Sequence, residues 1–487
     1  MTTRGPLETT SPLGLNVPAD CRGEVVQRHS NEHLSDRMNT FLLGRSLTHL
    51  SLELNRSRQA TLLRQERRFR SLLRHAYLHS EFYRRHYHSA GIRGGDLDAI
   101  PLRDLPTITK SQVMESFDSL SCDPALRREG VERFVADPTT RGRRYLNRFA
   151  VVHSSGSSGT VGLFVYGPEE WSILGALTIS RVGRSSVRPL HRTRLAFVGA
   201  TDGHYAGITL SREAPRFLYE FRPLSIQAPI EQIVAELNAF QPDMINGYAS
   251  GAHLLAIQQL HGRLRISPRA IVCSGDPLTD LVRSHVQEAF GIEPINLYAS
   301  SESICMGVQR NGGEDMSLFD DWHVFEIVDE RLKEVGPGET GRLVLTNLYN
   351  RTQPLIRYEM SDLLTRGDDS RADGHPFQRI RALSGRSEES LSFVVNGQER
   401  KLSPHVLGEF FVPGLEKFQY EHHPPDLLLM RAKVRHDGAP VRDRIHEKMH
   451  DILVGSGLHE TLRFRLEIVD RIDNDARTGK FRLIERR

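Results

Sequence analysis

The residues best suited to chemistry begin at Ser154-Ser155-Gly156-Ser157-Ser158-Gly159-Thr160, between the apolar runs Ala150-Val151-Val152 and Leu163-Phe164-Val165-Tyr166. Hydroxyls and glycines in that position make a loop with uncovered backbone amides. Glycine lets the backbone approach closely, and N–H and O–H groups both donate, so such a loop can wrap anionic oxygens. A nucleotide phosphate is the ligand it suggests first. Alone, the loop is weak evidence, because Ser/Gly clusters are usually ordinary turns. Its weight comes from further motifs downstream: Tyr298-Ala299-Ser300-Ser301-Glu302, Arg357-Tyr358-Glu359-Met360-Ser361-Asp362, Gly385-Arg386-Ser387-Glu388-Glu389 and Arg477-Thr478-Gly479-Lys480.

The elements around these motifs read as an α/β fold. Leu195 to Val198, Ala270 to Cys273 and Ile295 to Tyr298 are short apolar strands. Ile230, Ile233, Val234, Leu237 and Phe240 mark an amphipathic helix, Leu254, Leu255 and Ile257 another, and Leu281, Val282, Val286 and Phe290 a third that stops at Gly291. Strands alternating with helices make a layered sheet whose ligands gather at the carboxyl ends of the strands. His323 to Val328, Leu343 to Thr346 and Leu355 to Tyr358 make a β-rich portion. After Gly385-Arg386 a smaller α+β unit follows, with strands near Leu391 to Val395, Leu427 to Val434 and Leu462 to Val469, and one helix carrying Val441, Ile445, Met449, Ile452 and Leu453. The expected division is a flexible leader over 1–35, a large α/β domain over 36–385 and a small mobile domain over 386–487. Before the sheet, residues 56 to 87 predict one long helix with Leu62, Leu63, Phe69, Leu72, Leu73, Ala76 and Tyr77 on one face. Its arginines read as a solvated face, with a nucleic-acid stripe as the less favoured alternative.

Composition narrows the function. The 487 residues are 38% hydrophobic and 26% charged, and the net charge is 64 − 61 = +3. That is the make-up of a globular protein and too even a balance to argue for nucleic acid as partner. Cys21, Cys122, Cys273 and Cys305 are far apart and show no metal-ligand spacing. A reducing compartment fits, so the cytoplasm is the expected location. No apolar stretch approaches the ~20 residues of a membrane span, so no membrane insertion is expected. There is no Ser/His/Asp hydrolase set and no Gly-Lys-Ser/Thr kinase loop. His153 and His204 read as loop or pocket residues.

Taken in order, the motifs resemble those of the adenylate-forming superfamily of acyl-CoA synthetases, peptide-synthetase adenylation domains and luciferases, in particular its phenylacetate–CoA ligase-like branch. The opening Leu72-Leu73-Arg74-His75-Ala76, Phe82-Tyr83, Asp104-Leu105-Pro106 and Thr109-Lys110 supports that branch, and the resemblance covers about residues 70 to 485. It implies an enzyme that activates a carboxylic acid with ATP and Mg²⁺ and passes the acyl group to a thiol, with coenzyme A as the expected acceptor and a carrier protein or an amine as alternatives. A catalytically silent scaffold is a further alternative, and the joint presence of Lys480, Glu302 and Asp362 argues against it. By the same resemblance Ser154 to Thr160 would hold phosphates and Glu302 Mg²⁺. Tyr298, with Asn296, Ala299, Ser300 and Ser301 beside it, would stack on adenine; core packing is an equal alternative for its ring. Ser274-Gly275-Asp276 would line adenine's other side. Asp362 would take the ribose hydroxyls, Arg386 would contact the nucleotide, Glu388 would be the hinge and Lys480 would serve adenylation. Ala200, Thr201, Asp202, His204, Tyr205 and Tyr248 would line the acyl pocket and suit an aromatic or polar acid. The sequence departs from the pattern at Thr160-Val161, where Lys-Pro is common, and at Ala299 and Ser301. Oligomeric state is not legible.

Overall fold

The computed structural model describes residues 40–50, 57–154, 162–183, 191–309, 315–368, 376–386, 391–395, 398–402, 407, 412, 415–434, 438–473 and 481–486. Apolar runs pair first as a two-stranded antiparallel hairpin, β1 (Ala150–His153) with β2 (Leu163–Tyr166). The next strands are β3 (Thr193–Gly199), β4 (Tyr219–Ser225), β5 (Met244–Gly247), β6 (Ala270–Cys273) and β7 (Ile295–Tyr298). These five are parallel neighbours in the order β4-β3-β5-β6-β7, as helices on the crossovers require. β4 carries Pro223, which cannot donate to a ladder, and it sits at the sheet edge.

From β7 the same sheet continues antiparallel. β8 (Gly307–Gln309), β9 (Met316–Leu318), β10 (His323–Val328), β11 (Thr340–Asn347), β12 (Tyr358–Arg366) and β13 (Arg379–Arg386) extend it in the order β7-β8-β9-β13-β12-β11-β10. A smaller unit follows: the hairpin β14 (Leu391–Val395) with β15 (Gln398–Leu402), and a sheet of β16 (Leu415–His423), β17 (Leu427–Val434), β18 (Arg463–Ile468) and β19 (Ile484–Arg486) in the order β18-β17-β16-β19. The helix Ala439–Gly455 packs Val441, Ile445, Met449 and Leu453 into that unit's own apolar cluster. Leu281, from the helix Asp280–Phe290 of the large unit, joins the same cluster.

Four expectations need correction. The long helix is two, Arg58–His79 and Glu81–Ser89, because Ser80 is extended; it ends the first and caps the second by accepting from the Tyr83 amide. Leu62 and Leu63 are 42% and 55% exposed rather than buried. The arginine face is neither simply solvated nor a stripe for an external partner. Arg58 pairs with Asp320, Arg68 Nη1 donates to the Asp321 carbonyl at 2.7 Å, and the Arg68 guanidinium lies 3.5 Å over the Trp322 ring. Leu355 to Arg357 precede the strand instead of forming it. Arg357 stands at φ 52°, its amide donates to Thr346 Oγ1 at 2.9 Å, and its guanidinium holds buried Glu326 at 3.0 Å. β12 therefore begins at Tyr358.

Candidate active site

Three motif residues meet where the two halves of the sheet join. β7 ends at Tyr298, and the register of β12 and β13 sets Asp362 directly opposite Arg386. The Tyr298 hydroxyl donates to Asp362 Oδ2 at 2.9 Å. The Tyr298 ring is only 3% exposed and belongs to the core cluster, so this side chain packs while its hydroxyl fixes a carboxylate. Beyond β7 the chain turns tightly. The Ser300 amide donates to the Ser303 carbonyl at 3.1 Å, and the Ser303 amide to Ser300 Oγ at 3.2 Å. Glu302 rides on this turn, and the Tyr358 hydroxyl donates to its Oε1 at 3.2 Å. Behind it a buried chain runs through Tyr349, Ser303 and His323. His323 Nδ1–H donates to the Phe319 carbonyl at 2.8 Å, so its Nε2 accepts from Ser303 Oγ at 2.7 Å, and Ser303 accepts from the Tyr349 hydroxyl at 2.7 Å. Burial presses the His323 pKa down to about 4, which keeps this chain neutral.

The phosphate-loop motif starts beside that turn. The Ser154 amide donates to the Gly162 carbonyl at 2.9 Å, and Ser154 Oγ accepts from the Gly162 amide at 2.8 Å and from Lys110 Nζ at 3.2 Å. Lys110 opens the helix Lys110–Glu115, which Thr109 and Gln112 start with a reciprocal capping box. Ser301 Oγ donates to the His153 carbonyl at 3.2 Å, and the Tyr166 hydroxyl to the Ser301 carbonyl at 2.8 Å, tying the hairpin to the Glu302 turn. Gln353 holds the hairpin from behind, accepting from the Val165 amide at 2.9 Å and donating to the Leu163 carbonyl at 3.3 Å. Ser155 to Thr160, Glu388 and Lys480 lie outside the described residues, as does the side chain of Arg386.

No family model matches the chain. It is 27% identical over 379 residues to the phenylacetate-coenzyme A ligase of Escherichia coli (strain K12), covering 75% of this chain and 78% of that one. It is 23% identical over 332 residues to Protein CapK of Staphylococcus aureus, covering 66% and 67%. Among solved structures it superposes on 2-hydroxyisobutyryl-CoA ligase in the postadenylation state, in complex with R3-HIB-AMP. The TM-score is 0.67 at 20% identity, covering 87% of this chain and 89% of that one. The chain is similar in sequence to phenylacetate-coenzyme A ligases and shares the fold of an adenylate-forming CoA ligase.

The remaining motif residues fall on two sides. Ser274 is bonded back to β5, its amide donating to the Gly247 carbonyl at 2.8 Å. Gly275, at φ 81°, makes the turn that an L side chain would strain. Asp276 then accepts from the Ala249 and Ser250 amides at 2.5 and 3.1 Å, a carboxylate on the N-terminus of the helix Ala249–Leu260. Its charge is committed to that helix end, so what it offers a neighbouring ligand is position rather than a free carboxylate. Asn296 Nδ2 donates to Gln309 Oε1 at 3.2 Å, and Ala299 packs against the core.

Of the residues expected at the acyl pocket, His204 and Tyr205 touch His153. Its Nδ1–H donates to the Ser154 carbonyl at 3.1 Å, and its Nε2 accepts from the His204 amide at 3.2 Å, which makes it a neutral imidazole. Its ring centroid is 4.5 Å from that of Tyr205. Gly203 permits this contact, since a Cβ there would lie 2.9 Å from His153 Nε2. Buried Tyr248 shares a hydrogen bond with the Ala200 backbone, and burial raises its hydroxyl pKa. Thr201 offers its carbonyl to Arg212 Nη2 at 2.9 Å, and Asp202 is exposed. Sequence reasoning gave no role to Tyr358, Tyr166 or Gln353. Tyr358 was findable: it precedes Asp362 by an even spacing in one strand, so both face the same side. Tyr166 and Gln353 act across long sequence separations and left no local signal.

Proposed function

We propose that this ligase activates a small carboxylic acid with Mg·ATP, releasing pyrophosphate from an acyl-adenylate, and then transfers the acyl group to coenzyme A. What carries the reading is the bond from Tyr298 to Asp362, with Arg386 across the strand pair and Glu302 fixed by Tyr358. A carboxylate held by one donor keeps lone pairs for two adjacent ribose hydroxyls. Lys110, bonded to Ser154 at the start of the loop, supplies positive charge where the phosphates would lie. The acid would enter beside Ala200 to Tyr205 and Tyr248.

Glu302 fits a Mg²⁺ ion shared with phosphate oxygens. Its Oε1 is oriented by Tyr358, and no group of three or more ligating side chains occurs among the described residues, so one carboxylate with phosphate and water ligands is the matching donor set. When bound, the ion would offset charge building on the phosphates. Lys480 would serve adenylation from the small domain, residues 386–487, which would pivot at Glu388 against the large domain, residues 36–385. We assign the protein to the cytoplasm on its scattered cysteines. No helix among the described residues is long and apolar enough to cross a membrane.

The deciding experiment is acid-dependent exchange of labelled pyrophosphate into ATP over a panel of aromatic, hydroxy and dicarboxylic acids. It reads activation without assuming an acceptor. Exchange with at least one acid, followed by thioester formation on adding coenzyme A, is expected. A folded protein that binds ATP and exchanges with no acid in a broad panel would remove the activation reading.

A further inference from the structure

The acyl side carries charge that the proposed chemistry does not use. Around residues 127–148 the arginines meet carboxylates. Arg127 faces Asp118 at 3.6 Å, Arg128 meets Glu132 at 2.7 Å, Arg148 meets Asp123 at 2.9 Å, and Arg144 pairs with Glu213. Arg141, Arg143 and Arg212 have no carboxylate within 4.0 Å among the described residues, and of these Arg141 and Arg212 act on His204. Arg141 is near enough to Arg212 to act on its charge, and the next residue touches it. A Cβ on Gly142 would lie 3.6 Å from Arg212 Cδ, and Arg212 is locked onto the acyl loop by its bond to the Thr201 carbonyl at 2.9 Å.

His204 completes the surroundings and adds no charge of its own. Thr140 gives its one proton to the carbonyl of Phe134 or Asp137, at 2.6 and 2.7 Å, so at 3.0 Å it accepts from His204 Nε2–H. Burial first, then His153, Arg212 and Arg141, push the His204 pKa down to about 4. Burial and Arg141 likewise lower that of Arg212. Two guanidinium groups and a neutral imidazole at the edge of the acyl loop form a net positive concentration that self-repels until an anion arrives. Guanidinium forks match planar oxyanions in geometry as well as charge.

We propose that Arg141 and Arg212 form an oxyanion subsite at the edge of the acyl site, filled by a second carboxylate on the acid being activated. The inference rests on the activation reading above and narrows its substrate class to acids with a distal anionic group. A phosphate of coenzyme A is the other source of the same chemistry, and the test separates the two.

Pyrophosphate exchange, run without coenzyme A, compares dicarboxylic acids with monocarboxylic acids of equal length in the native protein, in Arg141→Gln and in Arg212→Gln. Arg141 is exposed, so its variant remains informative if Arg212→Gln unfolds. Charge-assisted bonds of this kind are worth about tenfold or more in kcat/KM for the diacid over its partner. The native ratio should reach that size and fall to within about threefold of unity in the Arg141 variant. In a second arm, coenzyme A and 3′-dephospho-coenzyme A are compared as acceptors of a supplied adenylate. A preference confined to this arm, and lost in the variants, overturns the diacid and assigns the subsite to the phosphate. Equal use of mono- and diacids with equal use of both acceptors, or preferences unchanged in the variants, overturns the subsite while leaving activation intact. Exchange with no acid overturns activation itself.

Discussion

At the scale of single residues, the bond from Tyr298 to Asp362 makes separable claims. Asp362→Ala removes the acceptor proposed for the ribose, and hydrogen bonds to a charged group are worth about 1.5–3 kcal/mol. ATP affinity should fall roughly ten- to a hundredfold, with acid binding much less affected. Tyr298→Phe keeps the buried ring and removes only the hydroxyl that orients the carboxylate, so a smaller loss of about three- to tenfold is expected. Calorimetry showing native ATP affinity in folded Asp362→Ala would sink the ribose assignment. A second prediction concerns acid. Burial lowers the pKa of His323 and His204 to about 4 and that of His253 to about 3. Each is depressed below the unfolded value of about 6.5, so the unfolded chain takes up more protons. Their contribution is complete above pH 6.5 and is lost as pH falls through the window down to about 4. Asp320, raised to about 6 by burial, works in the opposite sense, because its contribution fades as pH rises through 6. Three groups against one predict a melting temperature that drops between pH 6.5 and 5, above the ordinary carboxylate range. Thermal denaturation that is flat across that interval would contradict the neutral buried histidines.

At the scale of elements, the base of the phosphate-loop motif is built by three separate segments: the start of the helix Lys110–Glu115, the hairpin β1–β2 and the turn after β7. Lys110 joins the first two through Ser154 and stands at the foot of the loop. Lys110→Ala should therefore raise KM for ATP by about three- to tenfold, with a smaller change in kcat, because it removes both a tie and a positive charge near the phosphates. Lys110→Arg should recover part of the loss, and an unchanged KM in the alanine variant would show that the tie does nothing for ATP. The same region shows what was legible in sequence. In the parallel half of the sheet β3, β6 and β7 could be read from apolar runs, since they are largely buried, whereas β4 and β5 were not read, the one broken by Pro223 and the other short with Asn246 in it. β8, β9 and β13 could not. They are short or polar, and they form only because distant strands supply ladder partners. The break at Ser80 was missed because apolar periodicity continues across it into Tyr83 and Tyr87, which are buried on the next helix. Of the site, the motif residues were legible by type and order. Tyr358 was within reach through its even spacing from Asp362, but the ties through Gln353 and the arginines at the acyl loop are facts of packing, which spacing along one chain does not encode.

At the scale of the whole molecule, the question is what moves. Phe481 lies 5.0 Å from Lys417 Nζ and packs with Leu483 against the apolar cluster of the small unit. The segment next to Lys480 is thus anchored to the small unit, and any rotation would carry the lysine with it. Leu281 of the large unit is buried in that same cluster, a contact that rotation would have to break. Lys480→Ala should abolish pyrophosphate exchange while sparing thioester formation from supplied adenylate, and equal loss of both would argue against a role confined to the first step. The pivot itself can be tested by stiffening it. Arg386 is the last residue of β13, paired across to Asp362, and β14 begins at Leu391, so Glu388 falls in the connection between the two sheets. Proline fixes φ near −65° and removes an amide donor. Glu388→Pro should therefore leave one placement of the small domain available and close the other. Because the first half-reaction needs only the placement that brings Lys480 inward, exchange should persist within about threefold of native. Thioester formation from supplied adenylate should fall by about a hundredfold or more, since a blocked conformational step replaces chemistry as the limit. Glu388→Ala leaves the backbone free and should retain both activities, separating stiffness from loss of the carboxylate. Native rates for both half-reactions in the proline variant would mean that the pivot lies elsewhere, or that the two steps share one arrangement of the domains.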